Sequence, residues 1–401
     1  MLPRNIKITA SLYSFSLFVL VCSFVVNAQT NSNFTIRTNP LPSLGNENKD
    51  SVVEISLSFI GDLMCHKPQT NNALQKDGTY DFKPSFAYVK KYLSEADFTM
   101  GNIETTFAGK GKPYAGYPAF NSPDEYVEAI KDAGIDFLAT ANNHSMDTGE
   151  DGILRTIDVI KKNGLPYAGT YKTQSDHDSI RIVSIKGLKL AVLNYTYGTN
   201  GSYPKTGHKY MLNVIDSTAI TNEIKRAKEL GSDIVLVFYH FGVENKAEPT
   251  QAQLDAVRYA WQGGANLIIG AHPHVVGPTK YIEPYKENKD SVFVAYSLGN
   301  FLSNQYWRYT DAGVILNLKV QKNLSTQKVS VKKADMLPTW VYRAENPKLK
   351  THIVLPAQLH EQPDFLPDVI SDSMKVKMKE AFEDTKSIIN KYGNFVEIKG
   401  L

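Results

Sequence analysis

Two histidines one residue apart, in Gly270-Ala271-His272-Pro273-His274, follow the apolar run 265–269. A buried strand that stops at a glycine can release both imidazoles toward one cleft, where each can give a nitrogen to a metal. Alone, such a pair is ordinary loop material. Its weight comes from four other polar groups, each set directly after an apolar run. They are Gly61-Asp62 through His66, Gly101-Asn102-Ile103-Glu104, Asn142-Asn143-His144 and His240-Phe241-Gly242. Strand then ligand, five times over, points to a metal centre at the carboxyl edge of a sheet.

Asp62 offers a hard oxygen, and His66 lies four residues further on, close enough in sequence to approach the same ion. Glu104 is the carboxylate suited to bridge two cations about 3.5–4 Å apart, the spacing that clamps the attacking and leaving oxygens of a phosphoryl displacement. Asn143 can donate its amide oxygen. His144 can face a substrate or bond a carboxylate such as Asp147. His240 ends the run 234–239, and on its own it would more often be satisfied by a backbone carbonyl. Imidazoles with carboxylates and an amide oxygen make a nitrogen–oxygen site for one or two divalent ions, suited to Mn, Fe or Zn more than to calcium. Cys65 is not needed as a nucleophile, and no glycine-rich nucleotide loop is present.

These residues need elements to hold them. With 401 residues, 42% hydrophobic and 11% aromatic, the chain can bury a substantial core. Its 44 basic and 41 acidic side chains, net +3, give no case for nucleic-acid binding. Arg4 and Lys7 precede the apolar run 8–26, and Val26-Asn27-Ala28 before Gln29 has the form of a cleavage site. We expect export with a leader at 1–28, or an uncleaved anchor through 8–26, then a polar tether at 29–51. Cys22 would leave with a cleaved leader, so Cys65 would have no disulfide partner.

Beyond the tether, strands are expected at 52–60, 97–100, 135–141, 234–239, 292–296 and 313–320, with a hairpin at 180–185 and 188–193. The run 329–336 extends the same pattern. Helices are expected near 82–93, 123–134, 147–164, 217–230 and 249–261. Alternating strands and helices give an α/β protein. The hairpin and the late strands without helices favour two packed mixed sheets with helices outside. Prolines 347, 356, 363 and 367 and a charged helix at 372–392 mark a C-terminal appendage, 341–401.

The ordered motifs Gly61-Asp62-Leu63-Met64, Gly101-Asn102-Ile103-Glu104, Ala141-Asn142-Asn143-His144-Ser145-Met146-Asp147, His240-Phe241-Gly242, Gly270-Ala271-His272-Pro273-His274 and Tyr296-Ser297-Leu298-Gly299-Asn300-Phe301 resemble the bacterial CapA family. These are capsule and poly-gamma-glutamate biosynthesis proteins related to calcineurin-like metallophosphoesterases. The resemblance covers 52–340 and implies a four-layer α/β/β/α metallophosphoesterase-like sandwich. It places Asp62 and His274 at a first metal, Glu104 as the bridge, and Asn143, His240 and His272 at a second. His144 takes the substrate-facing, catalytic place, while Asn142, Asp147 and Asn300 fall in substrate or site-orienting positions.

Two departures stand out. Met64 sits where the wider pattern has a histidine, leaving His66 as the substitute, and Glu104 replaces an aspartate. The resemblance implies an exported, metal-dependent phosphoesterase-like protein acting on a phosphorylated or polyanionic surface polymer beside membrane-bound biosynthesis proteins. The alternative is a non-catalytic polymer-binding or assembly component, and a secreted nucleotidase is a third reading.

Overall fold

The computed structural model describes residues 52–284, 290–343, 352–366, 370–392 and 395–401. The expected leader and tether lie outside the described residues. The first strand, β1 (Val52–Leu63), is followed by α1 (Lys67–Ala73), α2 (Lys90–Ser94) and β2 (Phe98–Ile103). Next come α3 (Glu125–Asp132), β3 (Phe137–Ala139), α4 (Gly149–Lys162), β4 (Tyr167–Ala168) and α5 (Gln174–His177). A hairpin of β5 (Arg181–Ile185) and β6 (Leu188–Thr196) leads to α6 (Ser217–Glu229), β7 (Ile234–His240), α7 (Gln251–Gly263) and β8 (Leu267–Ala271). Short strands β9 (Thr279–Ile282), β10 (Val292–Ala295) and β11 (Asn300–Leu302) precede the long β12 (Ala312–Asn323) and β13 (Val329–Arg343). The chain ends with β14 (His352–Pro356), α8 (Asp372–Tyr392) and β15 (Val396–Ile398).

Two sheets form. One has the order β14-β13-β12-β1-β2-β3-β4, with β11 beside β1 and β15 beside β13; the other runs β5-β6-β7-β8-β10-β9. Alternation along the strands assigns each face. Leu57, Phe59, Phe98 and Phe137 of the larger sheet share one core with Leu190, Leu236, Phe238 and Ile269 of the smaller. On the outer face, Ile60, Ile103 and Leu138 pack against Tyr126, Ile130, Ile153 and Ile157 of α3 and α4. Helices α6 and α7 bury Ile220, Ile224, Val257 and Ala260 on the other side of the molecule. The layers are therefore helix, sheet, sheet, helix, the expected α/β/β/α sandwich.

Helix ends follow their chemistry. Helix α4 begins with Glu150 and Asp151 and ends with Lys161 and Lys162, matching the macrodipole. Thr250 and Gln253 close a capping box at α7, and Gly264 stops it at φ +93.

The helix expected at 82–93 is broken into a 3₁₀ turn, Lys83–Phe86, and α2. The described residues of 341–401, expected as an appendage packed on the body, add strands to the larger sheet. Strands β14 and β15 both pair with β13, and the expected boundary at 340 falls inside β13. Pro356, one of the expected breaks, is the last residue of β14 and pairs with Thr339 at the end of the β13–β14 ladder, a position that tolerates a missing N–H. Met378, Ala381 and Phe382 of α8 cover Trp340, Tyr342 and Leu355 there. No helix among the described residues is long and apolar enough to cross a membrane.

Candidate metal centre

The centre lies where strands of both sheets end. Strand β1 pairs with β12 as far as Ile60 and then, from Asp62, with β11, so that Asp62 stands opposite Asn300. Gly61 makes the change of partner possible, since a Cβ there would fall 1.9 Å from the Gly299 carbonyl oxygen. The Asp62 N–H donates to that same oxygen at 3.0 Å. Glu104 follows β2, its N–H donating to the Leu63 carbonyl at 3.0 Å. From the smaller sheet, β7 ends on His240 and β8 on Ala271, one residue before His272.

The 272–274 turn is strained. His272 and His274 hold φ values of +100 and +59, a region that side chains with a Cβ avoid. The His272 N–H donates to Asp62 Oδ2 at 3.3 Å, and the Asn245 N–H donates to the Pro273 carbonyl at 2.8 Å. Strain of this kind persists where neighbours fix it, and it collects at functional sites.

Two sets of donors converge: Glu104, His272 and His274, and Asp62, Glu104 and His240. In each set the ligand atoms lie within 4.8 Å of one another, and every residue is buried. Glu104 belongs to both. Its Oε1 is 3.6 Å from His240 Nε2 and 3.9 Å from His274 Nε2. Asp62 Oδ2 meets His274 Nδ1 at 3.0 Å, and Asn143 Oδ1 meets His240 Nε2 at 2.7 Å. The two donor sets group the residues differently from the division that the resemblance implies, with His272 beside His274 and His240 beside Asp62.

The electrostatics suit a cation. Burial and then the charge and hydrogen bond of Asp62 push the Glu104 carboxyl well above the usual range. Burial would raise Asp62 as well, but the His274 hydrogen bond and charge, Asn102 and His272 hold it below its ordinary value. Burial and then neighbouring imidazoles take His272 down to about 3 and His240 well below normal. Neutral imidazoles are the form that ligates. Glu104 Oε1 and His272 Nδ1 are buried without any hydrogen-bond partner, an arrangement that normally carries a penalty. A divalent cation bound by these two sets would satisfy both atoms, so the donor set fits one.

The remaining expected residues surround this cluster. His144 Nδ1 contacts Asp147 Oδ2 at 2.7 Å, and its ring meets Phe120 edge-on. Asp147 also accepts the Phe120 N–H at 2.7 Å. Asn142 braces the loop, donating to the Ile103 carbonyl at 2.8 Å and accepting the His144 N–H at 3.1 Å. Asn300 donates to Gln305 and to the Thr310 carbonyl, and its Oδ1 is buried without a partner. His66 stands outside both donor sets. Its N–H donates to Gln69 Oε1 as α1 begins, and its Nδ1 faces the Asn304 N–H at 3.3 Å. Burial takes His66 down to about 4 and raises the buried Cys65 thiol to about 11, which makes that thiol inert.

Two contributors were not anticipated. Asn102 Nδ2 is 2.8 Å from Asp62 Oδ1, 3.2 Å from His240 Nδ1 and 3.4 Å from Glu104 Oε2. Period-2 alternation put it on the Glu104 side of β2 and could have identified it. Tyr197 lies 4.6 Å from the His272 ring and stacks near-parallel on His240. Its N–H donates to the His240 carbonyl at 2.9 Å. No spacing in the sequence marks it.

Comparison with known proteins adds the following. The family model for the bacterial capsule synthesis protein PGA_cap matches residues 56–305. The chain is 29% identical over 272 residues to the PGA biosynthesis protein CapA of Bacillus subtilis (strain 168), covering 67% of this chain and 68% of the relative. It is 27% identical over 277 residues to the capsule biosynthesis protein CapA of Bacillus anthracis, covering 67% of this chain and 65% of the relative. The matches thus span about two thirds of those relatives' length. Among solved structures, the calcineurin-like phosphoesterase YfkN from Bacillus subtilis is similar with a TM-score of 0.41 and 13% identity, over 83% of this chain and 98% of that one. The Haemophilus influenzae NAD nucleotidase is similar with a TM-score of 0.46 and 12% identity, over 87% and 64%.

Proposed function

Because this chain belongs to the bacterial capsule synthesis protein PGA_cap family, we propose that it is an exported, metal-dependent phosphoric ester hydrolase acting on a phosphorylated surface polymer during capsule or poly-gamma-glutamate assembly. The observation that carries this reading is Glu104, buried, shared by two donor sets and with an oxygen that no protein group satisfies. Asp62, Glu104, Asn143, His240, His272 and His274 would hold one or two divalent ions, Mn, Fe or Zn. Such an ion supplies Lewis acidity, making water nucleophilic near neutrality and offsetting phosphate charge.

Around it the protein's own groups orient and donate. Asp147 accepts from His144 Nδ1 and orients the ring, so that a doubly protonated His144 would give its Nε2 proton to the leaving oxygen. Asn102 ties Asp62, Glu104 and His240 into one frame, as outer partners of ligands do.

Metal analysis after reconstitution, with a phosphomonoester and phosphodiester screen at neutral pH, tests the reading. Bound divalent metal with hydrolysis is expected. A protein that recruits no metal, or that holds metal without hydrolysing any ester, overturns it. The second reading, a polymer-binding assembly component without turnover, draws on Met64 and on the position of His66 outside the donor sets. It predicts that a protein carrying both H272A and H274A keeps full cellular function.

A further inference from the structure

Three large rings stand in water beside the metal centre without a part in it. Residues 303–311, joining β11 to β12, expose Tyr306, Trp307 and Tyr309, with Trp307 at 62%. Their loop is held firmly. The Thr310 and Asp311 N–H groups both donate to the Trp307 carbonyl, and Arg308 clamps Asp384 through bonds of 2.7 and 2.8 Å. Tyr309 is kept at φ +74, a strained setting for a tyrosine. Holding apolar rings rigidly in solvent gains nothing for folding, whereas it removes the ordering cost of binding.

Tyr306 and Trp307 stack with centroids 4.9 Å apart and 18° between planes. The Arg343 guanidinium lies 4.1 Å over Tyr306. Arg343 and Trp307 both pack on Tyr306, and the indole, 62% exposed, keeps surface open to one more ring.

The same loop follows a strand that borders the metal centre. Asn300 stands opposite Asp62, and the Asn304 N–H reaches His66. Tyr309 and Val275, the residue after His274, line one groove of about 260 Å³ together with Asn245, Glu248 and Lys391. Glu248 and Lys391 pair at 2.9 Å.

We propose that these rings and this groove form a saccharide subsite, holding a sugar unit of the polymer whose phosphate reaches the metal centre. The position of the phosphate rests on the hydrolase reading; the sugar contact does not. A pyranose has an apolar C–H face and a hydroxyl rim. The indole takes the first on one unit, and Asn245 with the Glu248–Lys391 pair meets the hydroxyls of a neighbouring unit in the groove that Tyr309 lines. A polyglutamate chain has no flat apolar face, and along the groove it would meet a lysine already neutralised by Glu248. The volume, below the roughly 300–1,000 Å³ of drug-sized pockets, suits one ring at a time.

The chain has three tryptophans, and Trp261 and Trp340 are buried, so acrylamide quenching of intrinsic fluorescence reports Trp307. The metal-free full chain is titrated with hexamers of glucose, of N-acetylglucosamine and of an alternating uronic acid and amino sugar, and separately with poly-gamma-glutamate. At least one hexasaccharide is expected to shield Trp307 saturably, and poly-gamma-glutamate is expected to leave it open. By calorimetry, W307A should bind that hexasaccharide about tenfold or more weakly, and W307F should retain most of the affinity. The proposal falls if no hexasaccharide shields Trp307, if W307A binds equally well, or if poly-gamma-glutamate is the polymer that shields it. The protein carrying both H272A and H274A should keep saccharide binding, so failure of the hydrolase reading would appear as lost metal or turnover with this contact intact.

Discussion

Glu104→Gln should make the metal-free protein more stable and the metal-loaded protein less so. Without a cation, Glu104 and Asp62 are two carboxyl groups in one dry pocket, and Glu104 Oε1 has no partner. An amide removes the charge and can donate to Asp62. An unsatisfied buried group costs about 1–3 kcal/mol. Unfolding entropy of about 2.1 cal/mol/K per residue over 401 residues gives roughly 0.8 kcal/mol/K. In chelator, Tm should therefore rise by about 1–4 °C.

With metal at about 100 times Kd, the unmodified protein gains about 2.7 kcal/mol, or about 3 °C on the same scale. Having lost the residue common to both donor sets, the variant should gain almost nothing. Differential scanning calorimetry in chelator and in excess Mn or Zn reads both halves, and the metal should close or reverse the gap between the two proteins. Equal metal-induced shifts in both proteins would refute the shared-ligand geometry. A variant less stable than the parent in chelator would refute the claim that the pocket is frustrated without its ion.

Asp147→Asn keeps the shape around His144 but removes the carboxylate charge that pairs with its ring. Turnover should fall by about 10²–10⁴-fold while metal content by elemental analysis stays unchanged, and loss of metal would contradict the positioning role. Asp311 tests pH dependence away from the centre. Burial pushes its carboxyl up to about 6, against the Trp340 Nε1–H bond that opposes the shift. A folded pKa above the unfolded value means stability that is fully present below about 3.8 and lost as pH rises to about 6. The loss is roughly 2 kcal/mol after allowance for partial exposure. Asp311→Asn should thus raise Tm at pH 8 and give no gain at pH 3.5; an equal gain at both would sink the assignment.

Much of the centre was legible because its strands are simple. Strands β7 and β8 are wholly buried runs, so a polar residue at their ends had to lie at an edge, and the 272–274 pair marked which edge. Parallel neighbours then brought Asp62, Glu104 and the Asn143 loop to the same side. Sequence distance misled at His66. Four residues from Asp62 looked close, but α1 starts there, and Gln69 and Asn304 hold the ring outside the donor sets. Other features left no trace in pattern. Strands β4, β11 and β15 are two or three residues long, too short for alternation to register. The left-handed turn at His272 depends on Asp62, distant in sequence. Tyr197 and the 303–311 loop work through what they face.

The donors come from both sheets, from Asp62 near the start of the folded body to His274 some two hundred residues later. No fragment emerging early from the ribosome or a translocon holds a complete set. The ion must then be chosen wherever the last strands close, from the pool available in that compartment. First-row metals compete by an intrinsic order that a nitrogen–oxygen pocket does little to reverse. For a chain secreted unfolded, geography would select the metal, and cytoplasmic zinc or copper would have no finished site to capture.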